Sequence, residues 1–519
     1  MSAAPASSAS AGRWTLVSAV LGSSMAFMDG TVVNVALPAI QRSLGASAAD
    51  AQWLIESYAL FLAALLLVGG ALGDRFGRKR VFLVGVVVFA AMSAACAAAQ
   101  GTGQLIAARA LQGVGAALLV PGSLALLGAN FPEDRRGRAI GTWSAFSGIT
   151  AAIGPVVGGF LVDHFSWRWA FLLNLPIAAV LLVACVARVP ESRGEAADGP
   201  IDLAGAVSAT LGLAGIVFAL IEAPSRGWGA AAVAIAGVVG LAGLAAFVAF
   251  ESRVRRPMLP LQLFSDRDFA GANVLTLLLY AALGGGLYFV PLNLIQVQGY
   301  PATAAGAALL PFVAIMFVLS RWAGSLVDRL GARIPLVVGP TIAAAGFALF
   351  ALPGVGGSYW TTFLPPVCVL GLGMTITISP LTTTVMNALG ERLAGTASGV
   401  NNAVSRAAGL LAIAALGAVL ARAFDTHLHD ALEHAGLPAG VADAVYAQRA
   451  RLGATAAPAG VAPAVAAQVR DAVGHAFVAG FRAAMLSSAG LALAGALSAW
   501  MLISGRQPGG PSPSKGSAA

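Results

Sequence analysis

The sequence predicts an all-α polytopic membrane protein with about fourteen transmembrane helices, on three observations. Of its 519 residues, 58% are hydrophobic and only 10% are charged, whereas a soluble domain averages about 25% charged residues. So few charges cannot cover an aqueous surface, and lipid must be the solvent for much of the chain. Secondly, runs of the roughly 20 apolar residues that a membrane helix requires recur throughout. Thirdly, the basic residues gather between those runs, as in Arg75, Arg78, Lys79, Arg80 and in Arg135, Arg136, Arg138, which is the pattern of cytoplasmic loops. The same clustering excludes a nucleic-acid partner as the reason for the net charge of +8, because the charges share no soluble face.

The apolar runs lie near 14–38, 51–72, 81–99, 103–127, 139–162, 169–188, 202–222, 230–250, 269–292, 302–323, 334–352, 359–386, 397–421 and 477–503. The loops after spans two, four, eight and ten, at 74–80, 133–138, 251–267 and 321–333, carry the basic clusters, and those after spans three, nine and eleven carry almost none. The clustered loops are therefore expected on the cytoplasmic side of the inner membrane, and an even span count puts both termini there. The first run is too long for a signal-peptide core and reads as a retained span. Residues 1–12 are small and polar and are expected to be disordered, and 506–519 form a cytoplasmic tail.

A long Ala-rich stretch at 422–476 is expected to form short helices outside, its length exempting it from the charge rule. His427, His429, His434 and Asp430 within it have helical spacing that could hold a metal, but a solvated surface explains them as well. No metal or other cofactor is expected. Cys96, Cys185 and Cys368 each sit inside an apolar run without pairing spacing and read as small buried hydrophobes.

Two internal echoes organise the chain. Gly70, Asp74, Arg75, Gly77 and Lys79 after span two recur at the same spacing as Gly324, Asp328, Arg329, Gly331 and Arg333 after span ten; Gly137 and Gly141 at span five recur as Gly395 and Gly399 at span thirteen. Both map span n onto span n+8. The expected organisation is a six-helix half at 13–192, an inserted helix pair with linkers at 193–267, and a second six-helix half at 268–505. Two related halves with a site between them is the plan of a rocking transporter.

Within the spans, charges are rare and functional by default, since a mid-membrane charge costs at least a few kcal/mol. Asp29 lies inside span one and Arg109 inside span four. Desolvation favours the neutral form of a carboxyl, which suits a proton carrier, whereas Arg109 keeps its proton and can only exchange partners. Counting ~1.5 Å per residue puts Asp29 roughly 8 Å, Arg109 about 9 Å and Glu56 about 7 Å below the outer boundary, in one layer. The expected coupling is that protonating Asp29 releases Arg109. Glu56 reads equally as an interfacial residue at the end of span two, and Glu222, before Ala223-Pro224, as interfacial too. The glycines of the loop Gly70-Ala-Leu-Gly-Asp74-Arg75-Phe-Gly77-Arg78-Lys79-Arg80 permit a tight reversal, and Asp74 can pair with its basic neighbours or cap a helix.

That loop resembles the signature of the major facilitator superfamily after its second helix. Leu105-Ile-Ala-Ala-Arg109-Ala-Leu-Gln112-Gly113-Val-Gly115 continues the resemblance, and Gly148-Ile-Thr-Ala-Ala-Ile-Gly154-Pro155-Val-Val-Gly158-Gly159 is similar to the antiporter motif of that superfamily's exporters. Met28-Asp29-Gly30-Thr31-Val32-Val33-Asn34-Val35-Ala36-Leu37-Pro38, the stretch from Trp167-Arg168-Trp169 to Asn174-Leu175-Pro176, and the fourteen spans together resemble drug:proton antiporters of the QacA/EmrB type. The resemblance implies a major facilitator fold and proton-coupled efflux of lipophilic or amphipathic drugs. It also implies a switch role for Gly70, Asp74, Arg75, Gly77, Arg78, Asp328 and Arg329, and a tight seal at Gly148, Gly154, Pro155, Gly158 and Gly159. The cavity would be lined by spans one, four, nine and twelve. Asn34 and Gln112 would contribute to it, with Asn273, Thr276, Tyr280 and Tyr288 from span nine, and Thr375, Thr377, Ser379, Thr382, Thr383, Thr384 and Asn387 from span twelve. Hydroxyls, amides and rings suit amphipathic ligands, although such hydroxyls also bond their own helix backbone. No carboxylate lies deep in a C-terminal span, which points to neutral or singly charged substrates. The expected partners are lipid, protons and a small molecule. The chain is expected to act as a monomer, and an accessory envelope protein is compatible with it.

An uptake symporter of the same fold is the nearest rival, and Gly154-Pro155 and the inserted pair disfavour it. An intramembrane enzyme would need a nucleophile–base pair or metal ligands within spans, and no HExxH-type pair occurs there. A sensor without transport would tolerate neutralising Asp29. Nothing matches a phosphate-binding Gly-x4-Gly-Lys-Ser/Thr loop, so an ion gradient is the expected energy source.

Overall fold

A computed structural model of the protein describes residues 6–193, 202–254, 257, 259–389, 394–438 and 440–504. Among them the regular structure is wholly helical. Fourteen helices are long and apolar enough to cross a membrane. They are α1 (Ala6–Leu44), α2 (Ala48–Phe76), α3 (Arg78–Ala98), α4 (Thr102–Asn130), α5 (Glu133–His164), α6 (Trp169–Arg188), α7 (Leu203–Arg226), α8 (Ala231–Glu251), α9 (Arg267–Val297), α10 (Ala302–Ser320), α11 (Arg333–Phe350), α12 (Tyr359–Ala388), α13 (Ala394–His434) and α14 (Pro463–Leu502).

Local chemistry sets the boundaries. Ser47 and Asp50 form a reciprocal capping box at the start of α2. Asp202 and Asp266 accept from the backbone N–H of Gly205 (2.7 Å) and Phe269 (2.8 Å), capping α7 and α9. Gly77 and Gly331 end their helices with φ of +112° and +73°, values that side chains with a Cβ rarely adopt. These two glycines occupy equivalent places in the repeated loop.

The long outer loop expected at 422–476 is shorter. Helix α13 runs on to His434 and α14 starts at Pro463; the described residues between them form two short helices, Val441–Tyr446 and the 3-10 helix Arg449–Ala454. The Ala-rich stretch is a good helix former, and i,i+4 pairs such as His429 with Glu433 (3.2 Å) support it beyond the apolar zone. Similarly, α1 begins at Ala6, inside the segment expected to be disordered.

The packing repeats with the sequence. Helix α1 lies on α5 as α9 lies on α13; α4 packs on both α2 and α3 as α12 packs on both α10 and α11. The pair α7–α8 is joined through close glycine approaches, Gly212 against Leu244 and Gly215 against Gly240. Of this pair, α7 rests on α2 and α13, while α8 is the least buried of the fourteen.

Bonds between the halves gather at the end of the bundle that carries residues 45–47 and 298–301. Gln296 donates to Gln41 (2.7 Å), and Gln52 donates to the carbonyl of Ile413 (3.4 Å). Asp163, at the end of α5, accepts from the backbone N–H of Ala302 (3.0 Å) and Thr303 (2.8 Å) and from the Thr303 hydroxyl (2.7 Å). One half thus caps a helix of the other.

Candidate functional site

Helix α1 carries Asp29 and α4 carries Arg109 and Gln112 one turn apart, so both α4 side chains meet the same carboxylate. Arg109 Nη1 forms an ion pair with Asp29 Oδ2. Gln112 Nε2 and Asn174 Nδ2 each donate to Asp29 Oδ1 at 2.9 Å. Both also donate to the Ser93 hydroxyl, at 2.8 and 3.2 Å. Arg109 donates further to the Leu54 carbonyl (3.0 Å) and to Gln112 Oε1 (2.8 Å), and its guanidinium lies 4.3 Å from the Tyr58 ring centroid. Asp29, Arg109, Gln112, Ser93 and Asn174 are each at most 1% exposed.

Asp29 is therefore a fully solvated carboxylate whose solvent is protein. Asp29 pairs with Arg109, and with Gln112 and Asn174 this makes three side-chain donors that stand in for water around it. Helix α1 continues past Pro38 to Leu44. Gln112, expected to line the cavity, instead bridges Asp29 and Ser93.

Glu56 is the opposite case. It is 0% exposed, and neither carboxyl oxygen has a hydrogen-bond partner among the described residues. The interfacial reading of Glu56 is overturned, because α2 starts at Ala48 and buries that turn against the other half. An ionised carboxylate so placed would cost several kcal/mol, so Glu56 carries its proton in this state. Glu222 sits at the end of α7, where it accepts from Trp53 of α2 (3.2 Å) and pairs with Arg226 (2.6 Å).

The α5 glycines are contact points. A Cβ on Gly154 would collide with Thr31, and one on Gly158 would lie 2.7 Å from Val32, so both set the α1–α5 approach. Gly159 faces the backbone of Ala302, and Gly306 of α10 faces the carbonyl of Pro155, so the same stretch closes on the other half. Gly148 departs from this group: nothing lies within 4 Å of its Cβ position, and packing does not explain it.

In the basic loop, Asp74 pairs with Arg78 (2.8 Å) rather than capping a helix. Gly70 is helical and makes only ordinary contact with Pro121. Arg75 is exposed and lies 5.5 Å from the Phe76 ring centroid. What sequence reading missed is Glu191, which follows α6. Its carboxylate accepts from the N–H of Lys79 (2.9 Å) and Arg80 (3.1 Å), capping α3 from across the half. A Cβ on Gly77 would stand 2.9 Å from that carboxylate, so the glycine serves the clasp as well as the turn. In the equivalent loop, the side chain of Asp328 lies outside the described residues, and Arg329 is exposed.

The expected cavity residues divide. Thr375, Thr377 and Thr383 bond the carbonyls of Gly371, Gly373 and Ser379 in their own helix, and Thr382 and Thr384 do likewise. Asn273 is buried and accepts from Asn401 of α13 (3.2 Å). Asn34 keeps a buried Oδ1 without a partner, and Tyr280 is partly exposed. Span twelve thus offers fewer free hydroxyls than its composition promised. The His427 and His434 rings bond their own helix carbonyls, and no group of metal-binding side chains forms among the described residues.

These features have relatives. The family model of the Major Facilitator Superfamily matches residues 19–413, and the chain belongs to that superfamily. It is 35% identical to the tetracenomycin C resistance and export protein of Streptomyces glaucescens, over 84% of this chain and 81% of that one. It is 35% identical to the multidrug resistance protein Stp of Mycobacterium tuberculosis, over 81% and 78%, and 33% identical to a methylenomycin A resistance protein of Bacillus subtilis, over 80% and 89%. Among solved structures, a bacterial homologue of the lysosomal transporter Spinster shares the fold, with a TM-score of 0.64 at 16% identity over 94% of this chain and 96% of that one. The chain is a multi-pass membrane transporter of this superfamily.

Proposed function

We propose that this protein exports small lipophilic or amphipathic compounds, antibiotics among them, across the cytoplasmic membrane in exchange for protons, by rocking of its two halves. The observation that carries the reading is the occluded Asp29–Arg109 pair, two charges held within the membrane zone where an apolar contact would hold the helices together as well. The relatives named for resistance and export favour outward transport, and the Gly159–Ala302 and Pro155–Gly306 contacts supply a tight closure between the halves.

With the basic loops in the cytoplasm, as their charge favours, both termini are cytoplasmic and the clasped end faces outward. The state is then closed outside. In this reading Glu56 guards the closure. It accepts a proton from outside when the halves part, becomes neutral, and allows α2 to be buried against α9 and α13. Losing that proton to the cytoplasm restores a charge that the closed seam cannot hold, and the halves reopen outward. Asp29, when protonated, releases Arg109 to the Leu54 carbonyl and Gln112. Each step biases a two-state element by its charge.

The test is proton movement in everted membrane vesicles carrying a preset pH gradient. A candidate drug should release the gradient with the wild-type protein and fail to do so with Asp29→Asn. Equal release by both proteins would remove Asp29 from the coupling.

A further inference from the structure

A third ion lies inside the membrane zone and no step above uses it. Arg406 sits on α13, within the crossing segment Gly399–His434. Among the described residues it has no ion pair, no hydrogen bond and no aromatic ring beneath it, and it is partly exposed. Its electrostatic neighbour is Tyr58 of α2, the same phenol that covers Arg109. Guanidiniums from opposite halves thus stand near one phenol, and among the described residues only Arg109 has a carboxylate partner.

Among the described residues no acid supplies the compensating charge. The described acids of the second half stand at helix ends or in the outer loop and are engaged there. Asp268 binds Ser504, and Asp425 binds Tyr446 and Arg449. Glu56 makes no hydrogen bond with Arg406 among the described residues. A guanidinium does not shed its proton, and an unpaired one at this depth is expensive. Its residue also ends a polar stretch of α13: Asn401 bonds Asn273 and Thr276 (3.2 and 2.6 Å), Asn402 is exposed and Ser405 is half-buried.

We propose that Arg406 receives the anionic group of the exported compound, a carboxylate or an ionised phenol or enol, in a forked charge-assisted contact. Resting on the export reading above, this names the substrate class: amphipathic organic anions rather than cations. The apolar remainder of the ligand lies along the seam between α2, α9 and α13, and binding supplies the counter-charge that the fold omits.

The experiment uses the full chain in nanodiscs and equilibrium dialysis at neutral pH. The probes are 2-hydroxy-1,4-naphthoquinone, which is anionic there, its neutral 2-methoxy ether, and the cation rhodamine 6G. Wild type should prefer the anion. Arg406→Gln should weaken anion binding by about tenfold or more while leaving the ether within about twofold, and Arg406→Lys should fall between, having charge without the fork. Equal loss of anion and ether, or no anion preference in wild type, overturns the proposal. Everted vesicles separate the two readings. Proton release by the ether or rhodamine without anion preference leaves export standing and removes Arg406 from recognition. Arg406-dependent anion binding with no proton release by any probe removes proton-coupled export and keeps the site.

Discussion

The two halves share a packing plan and differ in how they treat charge. In the first, Asp29, Arg109, Gln112, Asn174 and Ser93 form a closed network in which nearly every charge is answered. In the second, the positions facing the seam hold the neutral Asn273–Asn401–Thr276 cluster and the unanswered Arg406. A duplicated scaffold has been divided chemically: one half holds a buried charge pair, and the other holds a charge without a partner among the described residues.

The largest expected effect comes from breaking the closed network. Asp29→Asn leaves Arg109 buried without a counter-charge, and removing one partner of a buried pair costs about 3–5 kcal/mol. Loss of coupled transport should come with a lower unfolding midpoint in detergent. Asp29→Asn combined with Arg109→Gln should recover much of the midpoint but none of the transport. Recovery of transport would mean that the pair is structural.

Next is Gly159→Val. Its side chain would collide with the backbone of Ala302, so α5 and α10 cannot close. A disulfide engineered between Gln41→Cys and Gln296→Cys, which reports closure, should fall at least several-fold in yield. An unchanged yield would show that the clasp does not depend on this contact.

Glu56→Gln sharpens the contrast between the two acids. Because Glu56 is already neutral in this state, the variant should fold as well as wild type, keep the same cross-link at full yield, and lose coupled transport by about tenfold or more. A normal transport rate would confine proton handling to Asp29.

The smallest effects are expected at the two helix caps. Asp163→Ala removes three acceptor contacts across the halves at a mostly exposed site and should lower the cross-link yield by a few-fold. Glu191→Ala should slow transport modestly without moving the cross-link, since its contacts stay within one half. If Glu191→Ala also lowered the yield, the clasp at Gly77 would be connected to closure.

The fold was legible because lipid imposes a coarse code in which apolar length gives spans. All fourteen expected runs correspond to helices. The boundaries were less legible, because Ala-rich segments such as 422–434 remain helical after their hydropathy ends. Asp29 and Arg109 could be found as rare charges in apolar runs, and their pairing followed from depth. Arg406 carried the same signal inside span thirteen and was passed over amid the surrounding Asn and Ser. Span twelve misled through composition, since a threonine that bonds its own carbonyl reads identically to one that faces a ligand. Glu191 had no local signal: its partner amides lie more than a hundred residues earlier, and only folding brings them together.

The inserted pair has a mechanical consequence. Helix α7 touches both halves, yet its polar tie, Trp53 to Glu222, goes to α2. Toward α13 it presents Val217 and Ile221 against Leu410 and Ala414, an oily and unbonded surface. The pair is thus moored to one half and meets the other as the oiled face of a bearing.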